Sequence, residues 1–170
     1  MSAAARALTL AGLDTVAVLP AREDDAFLAA LRVQRVRFHA VPVSGAVRTN
    51  LAITENDGTT TKLNEPGSEL SAAETAELTR AVLERAQFAQ WVVLSGSLPP
   101  GLPDSWYSDM VDLLRPYGCK VAVDTSDAPL AALAAGLDRA APDLIKPNSE
   151  ELAGLAGVTA QSLEAALSDR

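Results

Sequence analysis

The stretch Trp91-Val92-Val93-Leu94-Ser95-Gly96-Ser97-Leu98-Pro99-Pro100-Gly101 decides the fold class. Four successive apolar residues fit a strand covered on both faces, as in a parallel sheet, better than the alternation of a half-solvated one. The residues after Ser95 cannot continue the strand. Gly96 permits backbone angles and close approach denied to other residues, and Pro99 and Pro100 remove two amide donors. Ser95 and Ser97 then stand at the carboxyl end of a strand, the edge where open α/β sheets bind ligands. Taken alone, the stretch is open to two readings, an ordinary βα loop or a ligand loop.

Downstream, helical spacing runs from about Asp104 to Leu114, followed by the strand Lys120-Val121-Ala122-Val123-Asp124 and a helix from about Ala128 to Ala135. Strands alternating with helices at this spacing imply right-handed crossovers and a parallel sheet. Asp124 ends its strand as Ser95 ends the previous one, either capping the turn through Thr125 and Ser126 or facing a ligand. Leu144-Ile145-Lys146-Pro147-Asn148-Ser149-Glu150-Glu151-Leu152 is a short strand, a proline that stops it and an acidic helix start. Asn148 and Glu151, three apart, face the same way on the first helical turn. They suit a capping box, or an amide and a carboxylate beside a hydrated magnesium ion and a nucleotide phosphate, with Lys146 supplying positive charge. A last helix is expected over about Ala160 to Leu167.

Upstream, Ser71-Ala72-Ala73-Glu74 has capping-box spacing and opens a helix through about Ala86. Before it, two polar, β-branched segments, Arg48 to Thr54 and Thr59 to Asn64, flank Glu55-Asn56-Asp57-Gly58, and Asp-Gly is a strong hairpin signal. Polar residues on both strands make this a partly exposed flap, about 47–65, outside the main sheet. Alternation would place Arg48 and Asn50 on one face, either as a forked cation and an amide addressing a ligand or as a solvated surface. Nearer the amino terminus, Ser2 to Ala11 is helix-forming and ends at Gly12, suited to the left-handed position past a helix. Thr15 to Leu19 reads as a strand, Asp24 to Leu31 as a helix and Val36 to Val43 as a strand.

With 170 residues the chain is expected to be one domain with a sizeable core. Its net charge of −8 and the lack of a Lys/Arg cluster argue against nucleic-acid or anionic-membrane partners and favour a small molecule. The single Cys119 is read as an apolar filler and suits a reducing cytoplasm, and the single His39 is read as structural. Apolar runs are too short to cross a bilayer.

Together these stretches resemble the phosphofructokinase B group of ribokinase-like sugar kinases, most closely the bacterial enzymes acting on fructose 1-phosphate. The resemblance is carried, in order, by Arg48-Thr49-Asn50, the flap end Asn64-Glu65-Pro66-Gly67, the stretch Val93 to Gly101, Asp124-Thr125-Ser126, and Lys146-Pro147-Asn148 with Glu151. It implies a three-layer α/β/α domain, mainly parallel, with a projecting β-hairpin lid. It implies transfer of the γ-phosphoryl of ATP to a ketose phosphate, giving fructose 1,6-bisphosphate from fructose 1-phosphate. By resemblance, Arg48 and Ser97 hold the sugar phosphate with Asn50 beside them. Lys146, Asn148 and Glu151 face ATP and its magnesium, with Glu151 the metal-associated carboxylate. The resemblance also allows a homodimer formed through the lid.

Two signatures of that group do not occur in this sequence: Gly-Gly-Lys-Gly, expected just before the opening helix, and Gly-Ala-Gly-Asp, which supplies an anion hole and the aspartate base. The expectation is therefore a central piece, incomplete at both ends, that carries parts of both subsites and no catalytic residue of its own. The alternatives are a tagatose 6-phosphate kinase and a non-catalytic domain that binds a sugar phosphate.

Overall fold

The structure is a computed structural model, and it describes residues 3–159, 161 and 162. The chain divides into two compact units, residues 1–82 with 99–102, and residues 83–98 with 103–170. The expected helix over Ala160 to Leu167 lies outside the described residues apart from 161 and 162.

The first unit begins with α1 (Ala3–Leu10), β1 (Ala17–Ala21), α2 (Ala26–Val33) and β2 (Phe38–Pro42). Gly12 takes φ +74° just past α1, as its lack of a side chain suggests. β1 and β2 pair in parallel, from Ala17 opposite Phe38 to Ala21 opposite Pro42. The expected strand Thr15 to Leu19 is thus displaced towards Pro20, which lies within β1. Proline lacks only the amide donor, a loss that a strand tolerates where no ladder bond needs it. Leu28 and Leu31, one helical turn apart on α2, are buried with Ala5, Ala17, Ala21 and Val36.

Asp25 joins this layer to the next segment of the unit. One carboxylate oxygen accepts from the Phe27 amide at 2.8 Å and caps α2, while the other accepts from the Val47 amide at 2.9 Å. Beyond it stand the hairpin strands β3 (Asn50–Thr54) and β4 (Thr60–Asn64), antiparallel from Asn50 opposite Asn64 to Thr54 opposite Thr60. At the tip Gly58 takes φ +91°, and Asp57 accepts from the Thr59 amide at 2.8 Å. β3 is exposed along its whole length, as expected of a flap.

α3 (Ala72–Ala86) opens with the expected capping box. Glu74 accepts from the Ser71 amide at 2.8 Å and the Ser71 hydroxyl at 2.7 Å, and the Glu74 amide donates back to Ser71 Oγ at 3.2 Å. The other Glu74 oxygen reaches the Ser44 amide, at 2.7 Å, and the Ser44 hydroxyl, at 3.1 Å.

The second unit is a run of βα units: β5 (Trp91–Ser95), α4 (Trp106–Leu114), β6 (Lys120–Asp124), α5 (Asp127–Ala135), β7 (Leu144–Ile145) and α6 (Ser149–Ala156). The three strands are parallel in the order β5–β6–β7, with Trp91 opposite Lys120, Ser95 opposite Asp124 and Val123 opposite Ile145. Met110, Val111 and Leu114 of α4, Val121 and Val123 of β6, and Leu130 and Leu133 of α5 form its buried core. Cys119 is partly buried, and that burial pushes its thiol upward.

One expectation for β5 is overturned. The strand is present and parallel, but it is not covered on both faces: Leu94 is buried, whereas Trp91 is 47 % and Val93 40 % exposed. Trp91 and Val93 share one face by alternation, and among the described residues β5 pairs only with β6. An apolar run is therefore compatible with a half-exposed face, on which the Lys120 ammonium lies 5.4 Å from the centre of the Trp91 ring, and run length alone did not settle the burial.

Candidate active site

The carboxyl ends of β5, β6 and β7 enclose a hollow of about 230 Å³. β5 brings Ser95, Gly96 and Ser97 to it, β6 brings Asp124, Thr125 and Ser126, and the turn after β7 brings Lys146, Asn148 and Glu151. The register explains the convergence. Ser95 and Asp124 are cross-strand partners at the last rung, and the Lys146 amide donates to the Val123 carbonyl at 3.1 Å. Four of the six expected site residues, Ser97, Lys146, Asn148 and Glu151, therefore line one hollow.

The other two belong to the first unit. Asn50 begins β3 and is exposed, whereas Arg48 precedes the ladder and is half-buried. The strand β3 begins two residues after Arg48, although the Glu65 amide still donates to the Thr49 carbonyl at 3.3 Å between them. The surroundings of Arg48 come from the turn: a side chain at Gly67, where φ is +89°, would meet Arg48 Cβ at 3.5 Å.

The charges at the hollow are one lysine and two carboxylates, a formal balance of −1. Lys146 Nζ lies 3.1 Å from Asp124 Oδ1, with both side chains largely solvent-exposed, so the contact orients more than it stabilises. Of the two readings of Asn148 and Glu151, the capping box is present. Asn148 Oδ1 accepts from the Glu151 amide at 2.9 Å and Glu151 Oε2 accepts from the Asn148 amide at 2.8 Å, a reciprocal capping box on α6. That bond uses one Glu151 carboxylate oxygen and leaves the other, Oε1, outside the box. The amino termini of α5 and α6 also meet this edge, where aligned peptide dipoles favour negative charge.

A divalent ion is a fair test of this donor set. Among the described residues no group of three His, Cys, Asp or Glu side chains gathers to hold one. Magnesium in a phosphoryl-transfer site is commonly held by one or two carboxylates, with phosphate oxygens and waters completing the shell. Asp124 and Glu151 fit that mode, and they do not fit an all-protein cage.

Sequence reasoning missed two further participants. The hydroxyl of Tyr107, on α4, donates to the Gly96 carbonyl at 2.8 Å, and Thr125 Oγ1 donates to the same oxygen at 3.1 Å. Tyr107 was legible only as an apolar position of a helix, and nothing in its spacing signals a partner 11 residues away. A second, larger hollow of about 430 Å³ lies against Val16, Val36, Arg37 and Phe38 in the first unit. Its one charged group already binds Asp14 and the Thr15 carbonyl, and it gathers no further chemistry.

The model of the pfkB family carbohydrate kinases matches residues 2–168. The chain belongs to the pfkB family. Curated members similar to it include a 1-phosphofructokinase of Xanthomonas campestris, 36 % identical over 77 % of this chain and 42 % of that protein. Another, of Vibrio cholerae, is 39 % identical over 69 % of this chain and 36 % of that protein. The chain thus spans about two fifths of the length of the curated relatives it matches. Among solved structures, phosphofructokinase-2 from Escherichia coli in complex with substrates and products superposes with a TM-score of 0.79 at 29 % identity, covering 91 % of this chain and 50 % of that one. The pfkB assignment bears out the ribokinase-like α/β fold expected from the sequence, with its parallel pairing and added hairpin.

Proposed function

We propose that the chain is part of a kinase that transfers the γ-phosphoryl group of ATP to fructose 1-phosphate. The observation that carries the reading is the convergence of Ser97, Lys146, Asn148 and Glu151 on one hollow at the carboxyl edge of parallel strands. The names of the curated relatives support the sugar.

In this reading Ser97 and Arg48 bind the phosphate already on the sugar, and Asn50 addresses a neighbouring oxygen. Lys146 and Asn148 bind the nucleotide phosphates, and Glu151 reaches the magnesium through its water shell. Magnesium supplies charge neutralisation of the phosphates when bound. The balance of −1 at the hollow supports this division, because it disfavours a bare polyphosphate and suits one that arrives with a divalent cation. Loose phosphoryl transfer asks a protein mainly for positioning and electrostatic stabilisation. The resemblance assigns proton abstraction to the aspartate of a Gly-Ala-Gly-Asp stretch, which this sequence does not contain.

Titration calorimetry on the chain tests the reading with fructose 1-phosphate, tagatose 6-phosphate and magnesium-ATP. Saturable uptake of fructose 1-phosphate and of magnesium-ATP is expected, the first weakened by Ser97→Ala and the second by Lys146→Ala. A preference for tagatose 6-phosphate would reassign the sugar, and no uptake of any of the three would sink the proposal.

A further inference from the structure

The peptide joining Gly96 to Ser97 is held more firmly than an exposed loop requires. Gly96 has φ +113°, with open space where a Cβ would stand, and the residue is exposed. Water alone would satisfy both of its backbone groups. Instead its amide donates to the Asp124 carbonyl at 2.9 Å, and its carbonyl accepts from Tyr107 at 2.8 Å and from Thr125 at 3.1 Å. A carbonyl oxygen has two lone pairs, and both are used. The donors come from the interior: Tyr107 is 4 % and Thr125 5 % exposed.

Burying a hydroxyl is costly unless it is bonded, and phenylalanine would fill the space of the Tyr107 ring, which packs edge-on to Trp106 at 5.4 Å. The Tyr107 hydroxyl is therefore directed at the loop, where it donates to the Gly96 carbonyl. Because a peptide unit is planar, fixing the Gly96 carbonyl also fixes the direction of the Ser97 amide and the starting point of the Ser97 side chain.

We propose that Tyr107 and Thr125 are positioning residues that lock the Gly96–Ser97 peptide and so preset Ser97 for the phosphate of the sugar. The ligand's identity rests on the proposed kinase function, while the locking does not. Thr125 lines the hollow, whereas Tyr107 does not and acts on it only through the Gly96 carbonyl.

The test compares Tyr107→Phe with the unaltered chain in calorimetry with fructose 1-phosphate and with magnesium-ATP. Losing one hydrogen bond corresponds to a roughly fivefold change. Affinity for fructose 1-phosphate should fall by about that factor, and affinity for magnesium-ATP should stay within about twofold. Equal losses for both ligands, or none for either, would overturn the proposal. Thr125→Val should weaken sugar-phosphate binding while Thr125→Ser, which keeps the hydroxyl, restores most of it, and equal behaviour of the two would also overturn it. If the unaltered chain binds neither ligand, the kinase function fails, and amide exchange then decides the locking. Exchange at Gly96 should quicken roughly fivefold in Tyr107→Phe with Val123 unchanged, and unchanged exchange at Gly96 overturns the proposal.

Discussion

Glu74 gathers four donors, the amides and hydroxyls of Ser44 and Ser71, onto one carboxylate. Bonds from the Ser71 amide and hydroxyl, and then from Ser44, favour its charged form and pull it from the ordinary 4.5 down to about 2. A carboxylate lowered in the folded state binds its proton more weakly there than in the unfolded chain. Its contribution to stability is therefore whole above about pH 4.5 and lost as pH falls towards about 2. Urea midpoints between about pH 6 and about pH 2.5 should show this decline, and Glu74→Gln should flatten it. Glu151 allows a similarly clean separation. Glutamine preserves the capping geometry of α6, so Glu151→Gln should leave thermal stability nearly unchanged while weakening magnesium-dependent nucleotide binding. Asn148→Ala removes the cap itself and should cost about 1 kcal/mol. If Glu151→Gln leaves nucleotide binding untouched in titration calorimetry, Glu151 is a cap and nothing more.

The hairpin carries an exposed apolar side. Leu51 and Leu63 are cross-strand partners and Ile53 shares their side, and these three are 52 %, 54 % and 48 % exposed. An apolar face of this kind, on a strand pair that is marginal by itself, favours association. We expect the chain to self-associate through the hairpin and Ile53→Lys to shift sedimentation towards the monomer; an unchanged sedimentation profile would remove the hairpin from the interface. The hairpin was legible because Asp57-Gly58 and the β-branched runs are local signals. The capping residues Ser71 and Asn148 were legible for the same reason, since their partners lie three positions away. What the sequence hid was contact across the chain. Asp25 reaching Val47, Tyr107 reaching Gly96 and the half-exposed face of β5 depend on neighbours 11 or more residues away, or on their absence. Arg48 shows the intermediate case, in which its motif was visible but its place outside the ladder was not.

At the scale of the whole molecule, the pfkB family model matches nearly the full chain, while the chain matches only about two fifths of its curated relatives. Four of the expected site residues line one hollow, but the sequence holds no Gly-Ala-Gly-Asp aspartate. The chain should therefore bind ligands without turning them over. A coupled assay with fructose 1-phosphate and magnesium-ATP should read no faster than its protein-free control, and robust turnover would require a base elsewhere in this chain. No helix among the described residues is long and apolar enough to cross a membrane.

The residues 99–102 group with the first unit although both flanking stretches belong to the second. There the Leu70 amide donates to the Pro100 carbonyl at 2.9 Å, and Gly101, at φ +93°, leaves no room for a side chain, since a Cβ would come within 2.2 Å of the Leu70 carbonyl oxygen. A gene cut after Val82 would therefore not yield two independent halves. The leading half would lack the peg that Leu70 grips, and the trailing half would carry that peg without its socket. Expressed together, such halves would have a built-in means of finding each other, which makes this point of the chain a natural place to build a split reporter.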